Sequence, residues 1–350
     1  MTHRTVAIIG LGNAAKTIHL PALAKLPNIK IAGGYDPAAA RGSFRFPLFS
    51  SPSEMLEKVH PDILVIATPP DSHFQFTKLG LETGCHVLCE KPFTDTLEEA
   101  DELIALSQKT RRWIVVNNQY RFMNIHRKAK ELIGQPQFGK LIFLRACQTF
   151  YTDSKTEAGW RGTQQQRTAK EFATHVLDLC RFFFDSEPVS ILSRMPKPDR
   201  PDGPDYLNLI QLEFPGDRVA HIILDRLSRG RQRYLDIQLD GTAGCIETHI
   251  GGGIELRAGV QGGTRKPFFR TDISLGGWAR LYRGESFQKI TSDPIDLFAA
   301  ATARLLTGLL EALDTGGIPP CHAADNRKTL ALMLSTYESS AIQTASAVRG

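Results

Sequence analysis

Residues 5–15 read TVAIIGLGNAA, and this stretch decides the fold of the first third of the chain. Val6 to Ile9 is a short, continuous apolar run, the pattern of a strand buried on both faces of a parallel sheet. Gly10-Leu11-Gly12-Asn13-Ala14-Ala15 follows at once, with Gly-x-Gly-x-x-Ala spacing, and an amphipathic segment comes next. Glycines at these positions permit a tight turn and let the backbone approach a pyrophosphate. The helix that follows supplies free N–H groups and a favourable dipole. Ala15 stands where a third glycine is common, at the contact of helix and strand. Gly10, Gly12, Asn13 and Ala14 are thus candidate dinucleotide contacts.

Downstream, the same alternation repeats. A second strand runs from Ile29 to Tyr35 and ends at Asp36. An acidic side chain at this offset accepts hydrogen bonds from the adenosine ribose and repels a 2′-phosphate, which favours NAD over NADP. Arg41, close by, is the group that would soften this choice. "DILVIATPP" gives a third strand, Asp62 to Thr68, after which Pro69 and Pro70 cannot continue it. Thr68 and Pro69 then line the crevice at the strand ends, and His73 opens the next helix at the cofactor edge. "CHVLCEKP" ends a further strand at the same rim. Thr96 to Glu99 has capping-box spacing and starts another helix, and "RWIVVNNQY" closes the series. Strand–helix alternation from Val6 to about Tyr120 predicts a doubly wound parallel sheet of the Rossmann kind. Glu90-Lys91-Pro92 lies on its rim. A lysine there can donate to a substrate oxygen, proline fixes its direction, and Glu90 can orient or neutralise it.

The bulk numbers bound the alternatives. A chain of 350 residues suits two domains. Apolar content is 42% and net charge +5. No run of roughly 18 apolar residues exists, so no membrane partner is expected. The start, MTHRTVAIIG, does not read as a signal peptide. "RLSRGRQR", Arg226 to Arg233, reads as a turn between strands, so no nucleic acid is expected. Cys85, Cys89, Cys147, Cys180, Cys245 and Cys321 show neither zinc spacing nor a disulfide framework, which fits reduced thiols in a cytoplasmic protein and no metal.

From about Phe122 the period changes. "KLIFLRACQTF", "YLNLIQLEF", "RVAHIILDRL", "RYLDIQL" and "CIETHI" alternate with period two. They predict a C-terminal α+β domain, residues 122–350, on a large, mostly antiparallel open sheet, after a dinucleotide-binding domain of residues 1–121. Helices are expected at Ile295–Leu313 and Asp325–Ala347. The loop "RMPKPDRPDGPDY" is expected to be exposed. In "TAKEFATHVLDLCRFFF", Phe172, Val176, Leu179, Cys180 and Phe183 form a core face. Glu171, His175 and Asp178 fall on an adjoining stripe. Histidine is the side chain suited to exchange a proton near neutral pH. Tyr120 and Arg121 follow the last Rossmann strand, and Trp160 and Arg161 precede the helix; all four are candidate substrate contacts.

Together "GLGNAA", "ATPPDSHFQFTKLGLETGCHVLCEKPF" and "NQYRF" resemble the glucose–fructose oxidoreductase, inositol dehydrogenase and MocA (Gfo/Idh/MocA) family, most specifically in Glu90-Lys91-Pro92. The resemblance implies a two-domain NAD(P)-dependent oxidoreductase acting on sugars, cyclitols and related alcohols. It also implies a homodimer or homotetramer formed through the second domain's sheet. It places Lys91 on the reacting oxygen and the nicotinamide ribose, His175 on the substrate proton, and Glu171 where the family carries aspartate. The helix entry, Arg167-Thr168-Ala169-Lys170, replaces the family's glycines. A hydride transfer between nicotinamide and a secondary alcohol or ketone is the function implied. A glycosidase using NAD transiently and a non-catalytic sugar-sensing regulator are the alternatives.

Overall fold

The computed structural model describes residues 2–40, 42, 44–152, 159–198, 201–260, 267–284 and 286–342; the side chains of 159–160, 255–260, 267–270 and 272 are also outside it. Arg41 and the end of the last expected helix therefore lie outside the described residues.

Five strands, β1 (Arg4–Ile9), β2 (Ile29–Tyr35), β3 (Ile63–Ile66), β4 (His86–Cys89) and β5 (Ile114–Val116), form a parallel sheet in the order β2-β1-β3-β4-β5. All four residues of β3 are fully buried, as a strand covered on both faces must be. The helices between strands are α1 (Leu20–Leu23, entered through the π turn Ala15–His19), α2 (Pro52–Val59), α3 (His73–Glu82) and α4 (Leu97–Thr110). At α4 the expected capping box is present: Thr96 Oγ1 accepts from the Glu99 N–H at 3.2 Å, and the Glu99 carboxylate accepts from the Thr96 N–H.

After α5 (Asn124–Leu132) comes β6 (Leu141–Thr149), then the π turn Ala169–Ala173 running into α6 (Thr174–Phe184). β7 (Ser190–Arg194), β8 (Leu207–Phe214), β9 (Arg218–Asp225), β10 (Arg233–Gly241) and β11 (Cys245–Ile250) follow. β12 (Gly253–Val260) and β13 (Pro267–Ser274) pair only with each other, and β14 (Gly277–Arg283) and β15 (Ser286–Asp293) complete the set. The eight-stranded sheet runs β15-β14-β11-β10-β6-β9-β8-β7. Its pairings are antiparallel except β6 with β9. In β8 the buried and half-buried residues alternate: Ile210 and Leu212 face the helices, and Leu207 and Leu209 face away.

The chain ends with α7 (Leu297–Thr315) and α8 (Ala323–Ile342). Both helices return to the first sheet. Leu305, Leu306, Leu309 and Leu310 of α7 join Val6, Ile8, Ile63 and Val65 in one core, and α8 packs against α4 and β5. The division at 121/122 thus separates the two sheets, whereas the helical cover of the first sheet is completed by the last fifty residues. The proline-rich loop also departs from expectation at its end, where Asp205 and Tyr206 are buried.

Candidate active site

The carboxyl ends of the five parallel strands open into a crevice of about 850 Å³ that continues to the second sheet. Gly10 turns the chain out of β1 at φ +87°. A Cβ there would stand 2.7 Å from the Ala67 carbonyl carbon, so only glycine fits beside β3. A Cβ on Gly12 would meet nothing within 4 Å. That open space lies in the crevice next to Asn13, Ala14 and the helix start, and it suits the pyrophosphate of a dinucleotide. Ala15 is fully buried against the sheet. Asp36, beyond β2, also lines the crevice; its carboxylate accepts from the Leu11 and Ala38 N–H groups, each at 2.8 Å. These bonds tie the second strand's acid to the glycine turn at the edge of the crevice. The residues present fit NAD.

Thr68 and Pro69 line the floor beyond β3. The Thr68 hydroxyl accepts from Ser72 Oγ at 2.6 Å. His73 does not face this crevice. It is buried at the start of α3, with Nδ1 2.7 Å from the Pro92 carbonyl and Nε2 2.9 Å from the Thr68 carbonyl. Its ring joins two loops of the rim and lines a smaller adjoining pocket with Thr68, Glu90 and Lys91 rather than the main crevice.

Glu90 and Lys91 follow β4. Burial alone would raise the Glu90 carboxyl, but hydrogen bonds from His19 (2.8 Å) and Asn117 (2.7 Å), with the charges of His19 and Lys91, hold it down at about 2. Lys91 Nζ donates to the Glu171 main-chain carbonyl at 2.5 Å. Burial lowers its pKa to about 8; Glu90 opposes that, and Arg161, Arg167 and Arg226 add to it. His175, on α6, lines the same crevice and stacks flat on Tyr120, with ring centroids 3.9 Å apart. Burial, and then the charge of Lys91, push its imidazole well below the ordinary range, so it is neutral at pH 7. The Tyr120 hydroxyl donates to that of Tyr234 at 3.2 Å.

Three expectations change. The π turn closes i→i+5 bonds, with the Thr174 N–H on the Ala169 carbonyl, so the i, i+4 stripe from Glu171 to His175 does not run straight through it. The Glu171 carboxylate turns to Arg161 (2.8 and 3.0 Å) and Arg167, with Arg226 at 3.9 Å, rather than to His175. Its main-chain carbonyl, not its side chain, meets Lys91. Arg121, expected as a substrate contact, does not line the crevice: it grips Asp178 through two bonds of 2.6 Å and Asp325 through one of 3.0 Å. Asp178, third on the expected stripe, is therefore a buried counter-ion. Arg161 lines the crevice from the turn Gly159–Thr163, and the Trp160 side chain lies outside the described residues.

Sequence reasoning did not single out Tyr234 or Phe298 as crevice residues, and it assigned Phe172 to the core; all three line the crevice. Nothing local marks Tyr234 or Phe298, which come from β10 and α7. Arg226 was read as part of a surface turn, yet it is buried between the rings of Phe150 and Phe172, 4.5 and 4.0 Å away. Among the described residues no group of three His, Cys, Asp or Glu side chains is placed to hold a metal.

Two family models match the chain: an oxidoreductase family with an NAD-binding Rossmann fold over residues 4–118, and the GFO/IDH/MocA C-terminal domain over residues 126–247. The chain belongs to the Gfo/Idh/MocA oxidoreductases. It is 27% identical over 253 residues to the levoglucosan dehydrogenase of Pseudarthrobacter phenanthrenivorans, covering 63% of this chain and 65% of that one. It is 32% identical over 144 residues to the uncharacterized oxidoreductase YdgJ of Escherichia coli, covering 40% of this chain and 42% of that one, so the match spans less than half of that relative. The fold is shared with an oxidoreductase from Agrobacterium radiobacter solved with NAD+, L-tartaric acid and magnesium. The TM-score is 0.79, with 97% of each chain covered and 17% identity.

The Arg121–Asp178 pair gives a test of its structural role. Removing one partner of a buried pair costs about 3–5 kcal/mol. Asp178→Ala should lose stability on that scale in urea denaturation, while NAD affinity of the folded fraction stays near wild type. An unchanged urea midpoint would contradict the role given to this pair.

Proposed function

We propose that this chain is an NAD-dependent dehydrogenase that moves a hydride between nicotinamide and a secondary alcohol, or its ketone, of a sugar, cyclitol or modified sugar. The observation that carries the reading is that Lys91 and His175 line one wall of the crevice that holds the Gly10–Ala14 turn. The sugar-acting relative supports the substrate class. So do the crevice walls, where aromatic faces of Phe172, Tyr234 and Phe298 surround a few polar groups.

NAD, when bound, supplies the hydride acceptor or donor. The chain's residues handle the oxygen and its proton. Lys91, a cation at neutral pH, donates to the reacting oxygen and polarises it. His175, neutral there, takes the hydroxyl proton as the carbonyl forms. Because Lys91 is drawn down to about 8, it too is near the range in which it exchanges a proton, and the two groups serve one proton inventory. Glu171 holds Lys91 through its carbonyl and orders the arginine wall through its carboxylate. Arg161 and Tyr120 contact the substrate. Asp36 binds the adenosine ribose and sets the preference for NAD.

The second sheet's outer face, with Leu207, Leu209 and Ile223 half-buried on it, is the proposed contact between subunits of a homodimer or homotetramer. The six cysteines form no disulfide, which supports a cytoplasmic location. No helix among the described residues is long and apolar enough to cross a membrane.

A screen of polyols, sugars and keto-sugars, read at the reduced-nicotinamide absorbance, tests the activity; no turnover across it would sink the reading. With a substrate in hand, Lys91→Met and His175→Ala should each lower turnover about 10²–10⁴-fold while NAD still binds. The losses should be less than additive, and the profile limb near pH 8 should vanish in Lys91→Met. Full activity in His175→Ala would remove its role. Asp36→Ala should narrow the NAD preference about ten-fold or more, given roughly 1.5–3 kcal/mol for charged hydrogen bonds; tighter NADPH binding by the wild type would refute its assignment. Light scattering at micromolar concentration should report a dimer or tetramer, and a monomer there would refute the interface.

A further inference from the structure

We propose that His19 is a positioning residue for the Lys91 amine: it pins the Glu90 carboxylate at the inner edge of the crevice, so that this charge stays beside the amine. His19 is the last residue of the π turn Ala15–His19 and is fully buried. A buried imidazole needs a polar partner, or an apolar side chain would serve better there. Its partner is Glu90: Nε2 lies 2.8 Å from Oε1. Asn117, just past β5, brings Nδ2 to 2.7 Å from the same oxygen. The Thr302 hydroxyl donates to Asn117 Oδ1 at 3.1 Å and so fixes which way that amide points. The other carboxylate oxygen accepts from the Lys91 main-chain N–H at 3.3 Å. Glu90 is thus held from the cofactor helix, from the fifth strand and from its own turn. A simple ion pair with Lys91 would need none of the first two.

The consequence follows from what surrounds each group. Glu90 faces His19 and Lys91, and its charge also reaches His73, Tyr120 and His175. Burial favours its neutral form most strongly, and the His19 hydrogen bond is the largest influence against that. Lys91 faces Glu90, the cations Arg161, Arg167 and Arg226, and the neutral ring of His175. Glu90 is the charge that favours the Lys91 cation against burial and the three guanidiniums. Without the His19 donor, Glu90 neutralises more readily or turns away. Lys91 then gives up its proton at lower pH. No apolar residue at position 19 can substitute, whereas a glutamine amide supplies a donor at similar reach.

The bearing on turnover rests on the dehydrogenase reading, but the titration of Lys91 does not. The test is competitive acetylation of the full-length protein with acetic anhydride across pH, read lysine by lysine by mass spectrometry. Lys109, exposed in the last turn of α4, serves as the internal control. In wild type the Lys91 midpoint should lie near 8. In His19→Leu and His19→Asn it should fall by about one unit or more, the scale of losing a nearby opposite charge. His19→Gln should restore it. An unchanged midpoint in His19→Leu and His19→Asn would overturn the proposal. A rise toward the ordinary lysine range would overturn it too, because that would show His19 merely keeping the pocket closed. If no alcohol is ever turned over, the dehydrogenase reading fails while this midpoint still decides the role of His19.

Discussion

One buried amine organises this molecule. Lys91 sits where the first sheet's rim meets the entry of α6, and its Nζ bonds the Glu171 carbonyl 80 residues along the chain. Burying a cation is costly unless it is paired. Its pKa of about 8, against an ordinary 10.5, records that cost. Between those values the folded protein binds fewer protons at this site than the unfolded chain does. The penalty is therefore fully present at neutral pH and is relieved as pH rises above about 8. A group kept at a cost to stability, on the wall of a crevice, is where function is to be sought. The strand end fixes its main chain, Glu90 fixes its charge, and the π turn of the second half supplies its acceptor.

The same region explains two departures from the family pattern as one. Where the family carries glycines and then aspartate, this chain has Arg167 and Glu171. They pair with each other across the π turn. Glutamate's extra methylene lets its carboxylate reach outward to Arg161 and Arg167 while its carbonyl stays on Lys91. Buried Asp205 accepts from the Thr168 and Ala169 N–H groups at 3.2 and 2.8 Å and holds the entry that glycines would otherwise leave loose. Glu171 thus gathers Arg167 and Arg161 into one charged cluster on the crevice wall.

Much of the first sheet was legible because its signals are local: apolar runs of the right length, a glycine turn, a capping box. β2 begins and ends where the sequence places it, the limits of β1 and β3 differ by one or two residues at most, and α4 starts at the expected capping box. In the second half, β6, β8, β9, β10 and β11 were visible from alternation. β12 to β15 were not, because glycine and charge interrupt their period in stretches such as "HIGGGIELRAG" and "LYRGESFQKI", and β7 was not because its five residues are too few to show a period. The site divides in the same way. Residues at strand ends, from Gly10 to Lys91, were found by position. Glu171, His175 and Asp178 were read as one face because sequence spacing assumes an unbroken α-helix; the π turn Ala169–Ala173 breaks that assumption for Glu171, whereas His175 and Asp178 keep helical spacing within α6. Arg121 looked like a free cation near the crevice because its partners lie 57 and 204 residues away.

Those distant partners explain how the two halves hold one geometry. Arg121 comes from the end of the first sheet, Asp178 from α6, and Asp325 from α8, which itself packs on α4. Arg181 closes the set through Asp325 and Glu187. This ion network binds α6 to the first half, and one helical turn away His175 stacks on Tyr120, only one residue before Arg121. The short segment Tyr120-Arg121 therefore holds α6 at two successive turns, by its ring at His175 and by its guanidinium at Asp178. A rotation of α6 that moved His175 away from Lys91 would have to break both contacts, so these two crevice residues are positioned by the junction of the halves rather than by either half alone.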